Sequence, residues 1–444
     1  MKSQQKCIVI FALVGCCAVL IALIFSAVDV WGDEEDGITE DNCSKKCQFV
    51  LVENIPEDVT IPYKGTIPLT TGLHDLLDKA HRLVEIVSPF WDLNSTKNAF
   101  QLPQAKQGEI LFHRFIHLRS QSVNLRVVSG PSDSSELKVL MQHGADVHYL
   151  NMKALTKGQL NSSFWVVDRK HIYMGSAGMD WRSFSTMKEF GIIIYDCSCL
   201  AMDLNKIFSL YWQLQYKDFV PSIWSKKLTA LYNKDKSLQL YLNDTEAKAY
   251  ISSSPDVFCP KDRMKDIEAI NRVIQDANTF IYISVTNYLP VLNSGQPKYW
   301  SRIDNILREA LILKTHIKVR LLLSCWEQTD PLSFNFVLSL KTLCMESINC
   351  SLEVKFFRGI NHNKYMVTDN SVYLGNFNWV GNEFFFNAGV GMVISQQVNE
   401  KNSSVVEKMK VVFERDWNSQ YSKTLQPDKI PECRTLLQNS SDWK

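Results

Sequence analysis

A passage running from Asn161 to Trp181 (NSSFWVVDRKHIYMGSAGMDW) returns in altered form from His362 to Trp379 (HNKYMVTDNSVYLGNFNW). Asn161 and His362 lie 201 residues apart, as do Asp168 and Asp369. Each copy reads as an apolar strand, an Asp, a turn, a Tyr-x-Gly strand and a Trp. Each is followed by a second strand pattern (Gly191 to Tyr195, Gly389 to Ile394) and a helix pattern (Leu204 to Tyr216, Val405 to Tyr421). The period is too long for a solenoid, whose units run to about 20–50 residues. It predicts two related halves packed about a pseudo-twofold axis.

The sequence before each copy repeats as well. Helical patterns over Leu69–His81 and Asp266–Asn278 lead into the apolar runs Leu83–Val87 and Phe280–Val285. Further strands are expected at Asn124–Val128 and Ile317–Leu323, and then at Val147–Leu150 and Leu352–Phe357. Short β-branched runs alternating with helices predict an α/β fold in which sheet is layered by helices. The halves are placed at 61–220 and 251–425, joined by a connection at 221–250 and followed by a tail at 426–444.

The N-terminus is different in kind. Cys7 to Val28 are 22 residues without a charge, roughly 33 Å as a helix, about one hydrocarbon thickness. Lys2 and Lys6 precede this run and Asp33 to Asp36 follow it, so the positive-inside rule sets a cytosolic tail at 1–6 and the bulk across the membrane. A cleaved signal peptide is the alternative, but its apolar core usually spans only about 7–15 residues. The expectation is a type II anchor at 7–28 and a stalk at 29–60, acidic and then polar. Net charge is +1, which gives no long-range field toward nucleic acid or an acidic membrane.

Nine cysteines follow the anchor, an odd number that an oxidising compartment would leave with at least one unpaired. Cys43-x-x-x-Cys47 and Cys197-x-Cys199 would also suit zinc. Dense N-glycosylation sequons, at Asn42, Asn94, Asn161, Asn243, Asn349, Asn402 and Asn439, favour disulfides and a lumenal or extracellular body.

His362-x-Lys364-x-x-x-x-Asp369, continuing through Gly375 and Asn378-Trp379, resembles the signature of the phospholipase D superfamily. The resemblance covers nearly the whole chain from Cys43 to Cys433 and is closest to its type II transmembrane branch. It implies a two-motif site without metal or cofactor. One His attacks phosphorus and the other half's His protonates the leaving oxygen. A Lys and an Asn from each half hold the phosphoryl oxygens. A carboxylate from each half orients the other half's His.

Against that pattern the second copy keeps His362, Lys364, Asp369 and Asn378. The first has Asn161 for His, Ser163 for Lys and Gly178 for Asn, and retains only Asp168. Glu189 matches the first-half carboxylate, with His362 as its implied partner. The second-half equivalent falls at Phe386, and its implied partner would be the His replaced by Asn161. Phe377 stands where a small polar residue is usual. The resemblance therefore implies an inactive member, one side of its site dismantled and the other kept. A positioned acid or base is worth about 10²–10⁴ in rate, so these losses together should erase the mechanism.

Other readings stay open. His362 and Lys364 persist either as structure, with Lys364 balancing Asp369, or as a residual site for a phosphate-bearing ligand. Ser162 or Ser163 would serve as nucleophile only with His362 as base. A homodimer would bring two copies of His362 together. A working hydrolase of single-stranded DNA or phospholipid is the rival reading. Trp165, Trp181 and Trp379 stack on bases or, more commonly at such positions, fill the core. Only Arg358 to Ile360 separate the strand ending at Phe357 from the Asn361-His362 motif, which puts the placement of His362 in question. The resemblance further implies bridges from Cys43 and Cys47 to Cys197 and Cys199, and from Cys325 to Cys433. Cys344 and Cys350 are then left to pair locally, with Cys259 free.

Overall fold

The computed structural model describes residues 15–17, 40–95, 103–314, 316–344, 350–396, 404–426 and 433. The anchor expected at 7–28 lies almost wholly outside them. Among the described residues no helix is long and apolar enough to cross a membrane.

Two large sheets carry the fold. The first contains β1 (Gln48–Asn54), β2 (Ile67–Pro68), β3 (Leu83–Ser88), β4 (Asn124–Ser129), β5 (Asp146–Tyr149), β6 (Phe164–Val167), β7 (His171–Gly175) and β8 (Glu189–Tyr195). Their order is β2-β1-β8-β7-β6-β3-β4-β5. The second contains β9 (Leu238–Leu242), β10 (Thr245–Ser254), β11 (Met264–Lys265), β12 (Phe280–Val285), β13 (Lys318–Cys325), β14 (Ser351–Arg358), β15 (Tyr365–Thr368), β16 (Ser371–Gly375), β17 (Gly389–Ser395) and β18 (Ser422–Thr424). Its order is β9-β10-β17-β16-β15-β12-β13-β14-β18, with β11 beside β10. From β1 to β8 every strand has a counterpart among β10 to β17. The edge strands β9 and β18 are extra.

Helices repeat in the same way. In the first half α1 (Leu69–Asp78) precedes β3, α2 (Lys106–His117) and α3 (Ser135–Gln142) make the crossovers to β4 and β5, and α4 (Ser198–Gln213) follows β8. In the second half α5 (Asp266–Asp276), α6 (Ser301–Leu313) and α7 (Pro331–Lys341) stand in the first three places. A short helix, α8 (Gly381–Phe386), precedes β17, and α9 (Val405–Trp417) follows it. β3-β4-β5 and β12-β13-β14 are parallel, which crossover helices permit and tight turns do not.

Side chains of β6 alternate between two cores, as the two-residue period of a strand requires. Trp165 and Val167 join Leu73, Leu76, Leu111 and Phe115 beneath α1 and α2. Phe164 and Val166 join Phe190, Tyr211, Ile251 and Tyr365 in a core continuous with the second half. Trp165 and Trp379 are thus core residues, while Trp181 is half-buried.

The expected boundaries need correction. Residues 48–54, assigned to the stalk, form β1, whose run Phe49-Val50-Leu51-Val52 pairs with β8 over its full length. Likewise the connection at 221–250 holds β9 and the start of β10, a hairpin on the second sheet. In both places a half-buried apolar run outweighs its polar neighbours. The helices end earlier than expected, at Asp78, Asp276, Gln213 and Trp417, and α4 starts earlier, at Ser198.

Four disulfides join Cys43 to Cys199, Cys47 to Cys197, Cys325 to Cys433 and Cys344 to Cys350. Cys259 is free, and burial pushes its thiol up to about 12. Its Sγ sits against Ser253.

Candidate functional site

The two motif aspartates do matching work away from any chemistry. Asp168 accepts the backbone N–H groups of His81, Arg82 and Leu83 at 2.7–2.9 Å, fastening the hairpin β6–β7 to the start of β3. Asp369 accepts those of Asn278 and Thr279 at 3.0–3.2 Å, at the start of β12. Asp369 does not balance Lys364, on which the acting charges are those of Glu383 and Glu189.

His362 is set by the other half. Its backbone N–H donates to Lys188 O at 2.8 Å, and its Nδ1 lies 2.9 Å from the Glu189 carboxylate. Glu189 is fully buried and accepts from Ser176 Oγ and, at 2.8 Å, from Ser183 Oγ. With Nδ1–H given to the carboxylate, Nε2 is the acceptor, and Lys364 Nζ stands 3.0 Å from it. Burial lowers the Lys364 ammonium pKa, opposed by the charges of Glu383 and Glu189. The three-residue connection does not misplace His362. Gly359 takes φ +105° to turn the chain, and Ser324 Oγ receives the Asn361 N–H at 2.7 Å.

The opposite side is built on the same backbone plan with different side chains. Asn161 N–H donates to Ala388 O at 2.8 Å, as His362 N–H does to Lys188 O. That equivalence, with Gly191 opposite Gly175 and Gly391 opposite Gly375, places Gly389 and not Phe386 in the position of Glu189. Phe386 ends α8 and offers its carbonyl to Thr156 Oγ1 at 2.6 Å. The space beside Gly389 is filled by the ring of Phe377, against which any Cβ at 389 would collide. Phe377 is the counterpart of Ala177.

A carboxylate nevertheless reaches Asn161. Glu383 on α8, the counterpart of Ser183, accepts from Asn161 Nδ2 at 3.4 Å, from Asn378 N at 2.8 Å and from Asn378 Nδ2 at 3.0 Å. Burial raises its pKa, while Lys364 and the Asn378 donors pull it back. Asn387 Nδ2 donates to Asn161 Oδ1 at 3.3 Å. The expectation that no acid faces Asn161 is corrected: the acid sits six residues earlier, on the helix instead of the strand.

The serines are spoken for. Ser162 Oγ bonds Tyr211 Oη at 2.8 Å, and Ser163 Oγ donates to Ala177 O. Both are buried. Gly178 leaves open the place where an Asn side chain would stand, with Ser88 Oγ the nearest atom to a notional Cβ at 3.6 Å. Gly178 borders a cavity of about 820 Å³ lined also by Asn161, Ser176, His362, Lys364 and Asn378, with Phe90, Leu150, Met152, Leu160 and Trp326 as its apolar wall.

Behind the site lies a group of charges with no sequence motif to announce it. Fully buried Lys188 reaches Asp416 at 2.8 Å and Glu53 at 3.3 Å. Arg415 reaches the same two acids at 2.7 and 2.6 Å. Burial alone would raise the Glu53 carboxyl, but Lys188 and Arg415 bring it down to about 2. The cluster ties β1 and β8 of the first half to α9 of the second. Offsetting the second copy by 200 residues, the spacing of Gly175 and Gly375, would have found Gly389 and Glu383. Nothing local marks Glu53 and Asp416 as partners of Lys188.

Among the sequons, Asn243 closes two hydrogen bonds on Phe49 through its carboxamide, so its side chain is engaged in joining β1 to the β9–β10 turn. Asn94 is half-buried and its N–H donates to Glu136. Asn349, Asn402 and Asn439 lie outside the described residues.

The family described as "PLD3/4, PLD-like domain" matches residues 63–361. Mouse "Inactive phospholipase D5" is 50% identical, with 100% of this chain and 85% of that protein covered. Xenopus laevis "5'-3' exonuclease PLD3" is 38% identical over 94% of this chain and 89% of that one. Among solved structures, phosphatidylserine synthase of Haemophilus influenzae Rd KW20 matches 80% of this chain and 85% of its own, with a TM-score of 0.51 and 12% identity, a likeness of fold.

Proposed function

The chain belongs to the phospholipase D superfamily, in its PLD3/4-like branch, and on that premise we propose that it is a pseudoenzyme: a phospholipase D-like protein that acts by binding or assembly and not by hydrolysis. The observation that carries this is the Asn161 side of the cavity. An Asn, a buried Ser held by Ala177 O and a Gly stand where a nucleophile or acid, a cation and an amide donor are needed. Neither a phosphohistidine nor protonation of the leaving oxygen has a group to perform it there. The 50% identity to proteins named inactive phospholipase D5 supports the same reading.

His362 and Lys364 persist in this reading as structure, oriented by Glu189 and packed into the wall. The matching strand orders, and the paired contacts of Asn161 with Ala388 and His362 with Lys188, support a pseudo-twofold relation between the halves. The apolar run 7–28 and the disulfides support a single-pass type II protein with its bulk in an oxidising lumenal or extracellular space. Asn94, Asn349, Asn402 and Asn439 remain the glycosylation candidates. Homodimerisation is a further part of the proposal that light scattering would check.

The test is hydrolysis of single-stranded DNA and of phospholipid vesicles by the ectodomain at acidic and neutral pH. No turnover is expected. Turnover that vanishes in His362→Ala would sink the pseudoenzyme reading and favour a hydrolase of the exonuclease type. Asn161→His with Ser163→Lys and Gly178→Asn serves as the companion variant, since activity gained there alone would mark the scaffold as competent. Phe386→Glu is not needed, because Glu383 already reaches position 161.

A further inference from the structure

One carboxylate of each half reaches the motif positions 362 and 161, and the two are spent differently, while Asp180 in the cavity wall is held by Arg182. Glu189 takes two serine hydroxyls and the His362 imidazole. Glu383 instead takes the backbone and side-chain N–H groups of Asn378, the Asn161 amide and the field of Lys364. Both of its oxygens accept, which is the pattern of an ionised carboxylate. Asn378 and Lys364 are the second-half groups whose donors and charge would serve a phosphoryl group.

We propose that Glu383 is a resident anion held beside the cavity, behind Asn161 and Asn378: it takes the Asn378 donors and offsets the Lys364 charge that a phosphodiester would need, and so closes this side of the site to phosphate. The inference rests on the pseudoenzyme reading and adds a cause to it. Loss of the first-half residues removes the chemistry, whereas Glu383 removes the affinity. An entering phosphodiester would meet a carboxylate already holding both Asn378 N–H groups, and would have to displace it or sit beside a like charge. Position 383 decides this because its counterpart, Ser183, carries no charge and serves Glu189 in the other half.

Isothermal titration of the ectodomain at neutral pH tests this, with inorganic phosphate in one arm and a short single-stranded oligonucleotide in the other. The unaltered chain should give no saturable binding of either. Glu383→Gln should show saturable phosphate binding, about 10- to 100-fold tighter than the weakest the titration can read, the size of a charge-assisted interaction released. The gain should disappear in Glu383→Gln with Lys364→Met. Glu383→Ala is run beside it, so that a folding failure of one variant does not decide the matter. Equal affinity in the unaltered chain and both variants overturns the proposal, as does a gain that survives Lys364→Met. A gain in the oligonucleotide arm alone also overturns it, by placing the anion elsewhere. Hydrolysis of the oligonucleotide is followed in parallel. Turnover by the unaltered chain defeats the pseudoenzyme reading, while saturable phosphate binding without turnover defeats only the resident anion.

Discussion

At positions 189 and 389 the two halves place a glutamate and a glycine on strands of the same register, and at 183 and 383 a serine and a glutamate. In the second half the acid stands six positions earlier, and its former place holds a glycine. Around the glutamate at 189 the neighbours are the hydroxyls of Ser176 and Ser183 and the His362 imidazole. Around the glycine at 389 they are Asn376 and the Phe377 ring, and Asn376 reaches across to Gly175 O at 2.9 Å. Loss of catalytic pattern here is a repacking to a different set of satisfied partners. A substitution that merely emptied the seat would have left a void or an unpaired buried group, each costing about 1–3 kcal/mol.

The largest effect should come from the cluster that lets the Glu189 side stay as it is. Lys188→Met leaves Glu53 and Asp416 sharing Arg415 alone and should cost about 3–5 kcal/mol in denaturant unfolding, while position 388, its counterpart, is an alanine with no such duty. The pH dependence has a definite sign. Glu53 is held at about 2, below its ordinary 4.5, so its stabilising contribution is complete above pH 4.5 and is lost as pH falls toward 2. In Lys188→Met, where Glu53 is less depressed, that acid loss should be smaller and complete at a higher pH. If the two proteins unfold alike across this range, the cluster does not bind the halves together.

A smaller difference separates two glycines. Gly389→Ala should cost about 1–3 kcal/mol because Phe377 has no room to yield, whereas Gly178→Ala should be neutral within about 0.5 kcal/mol. Equal melting temperatures for the two variants would show that Phe377 does not fill the acid's seat. Smallest is the contrast expected to be near zero. Asp168→Ala and Asp369→Ala should each cost about 1–2 kcal/mol, since both aspartates serve backbone N–H groups at a strand start. A much larger loss at Asp369 would mean that the retained motif depends on it in a way the first copy does not.

The doubled architecture was legible in the sequence because β-branched runs and the Tyr-x-Gly hairpins repeat in order, and burial on both faces leaves such runs little choice. β1 was missed because its apolar run follows an acidic stretch that dominates the window. The absence of His, Lys and Asn from the first copy was readable residue by residue. The site of the missing acid was not, because the family pattern pointed to Phe386 while strand pairing selects Gly389. Glu383 and Lys188 were invisible for a related reason. Their significance lies in partners brought close only by the fold, Asn161 in one case and Glu53 with Asp416 in the other.

The paired cystines near the N-terminus have a mechanical consequence. Cys43 and Cys47 are bonded to Cys199 and Cys197, just beyond the Tyr195 end of β8, and β1 runs antiparallel to β8 with Asn54 opposite Glu189. A pull arriving from the N-terminal side would pass into two covalent links at the base of α4 before it could peel β1. Glu189 stands at the opposite end of β8 from those links, so such a pull would meet both cystines before it reached the cavity.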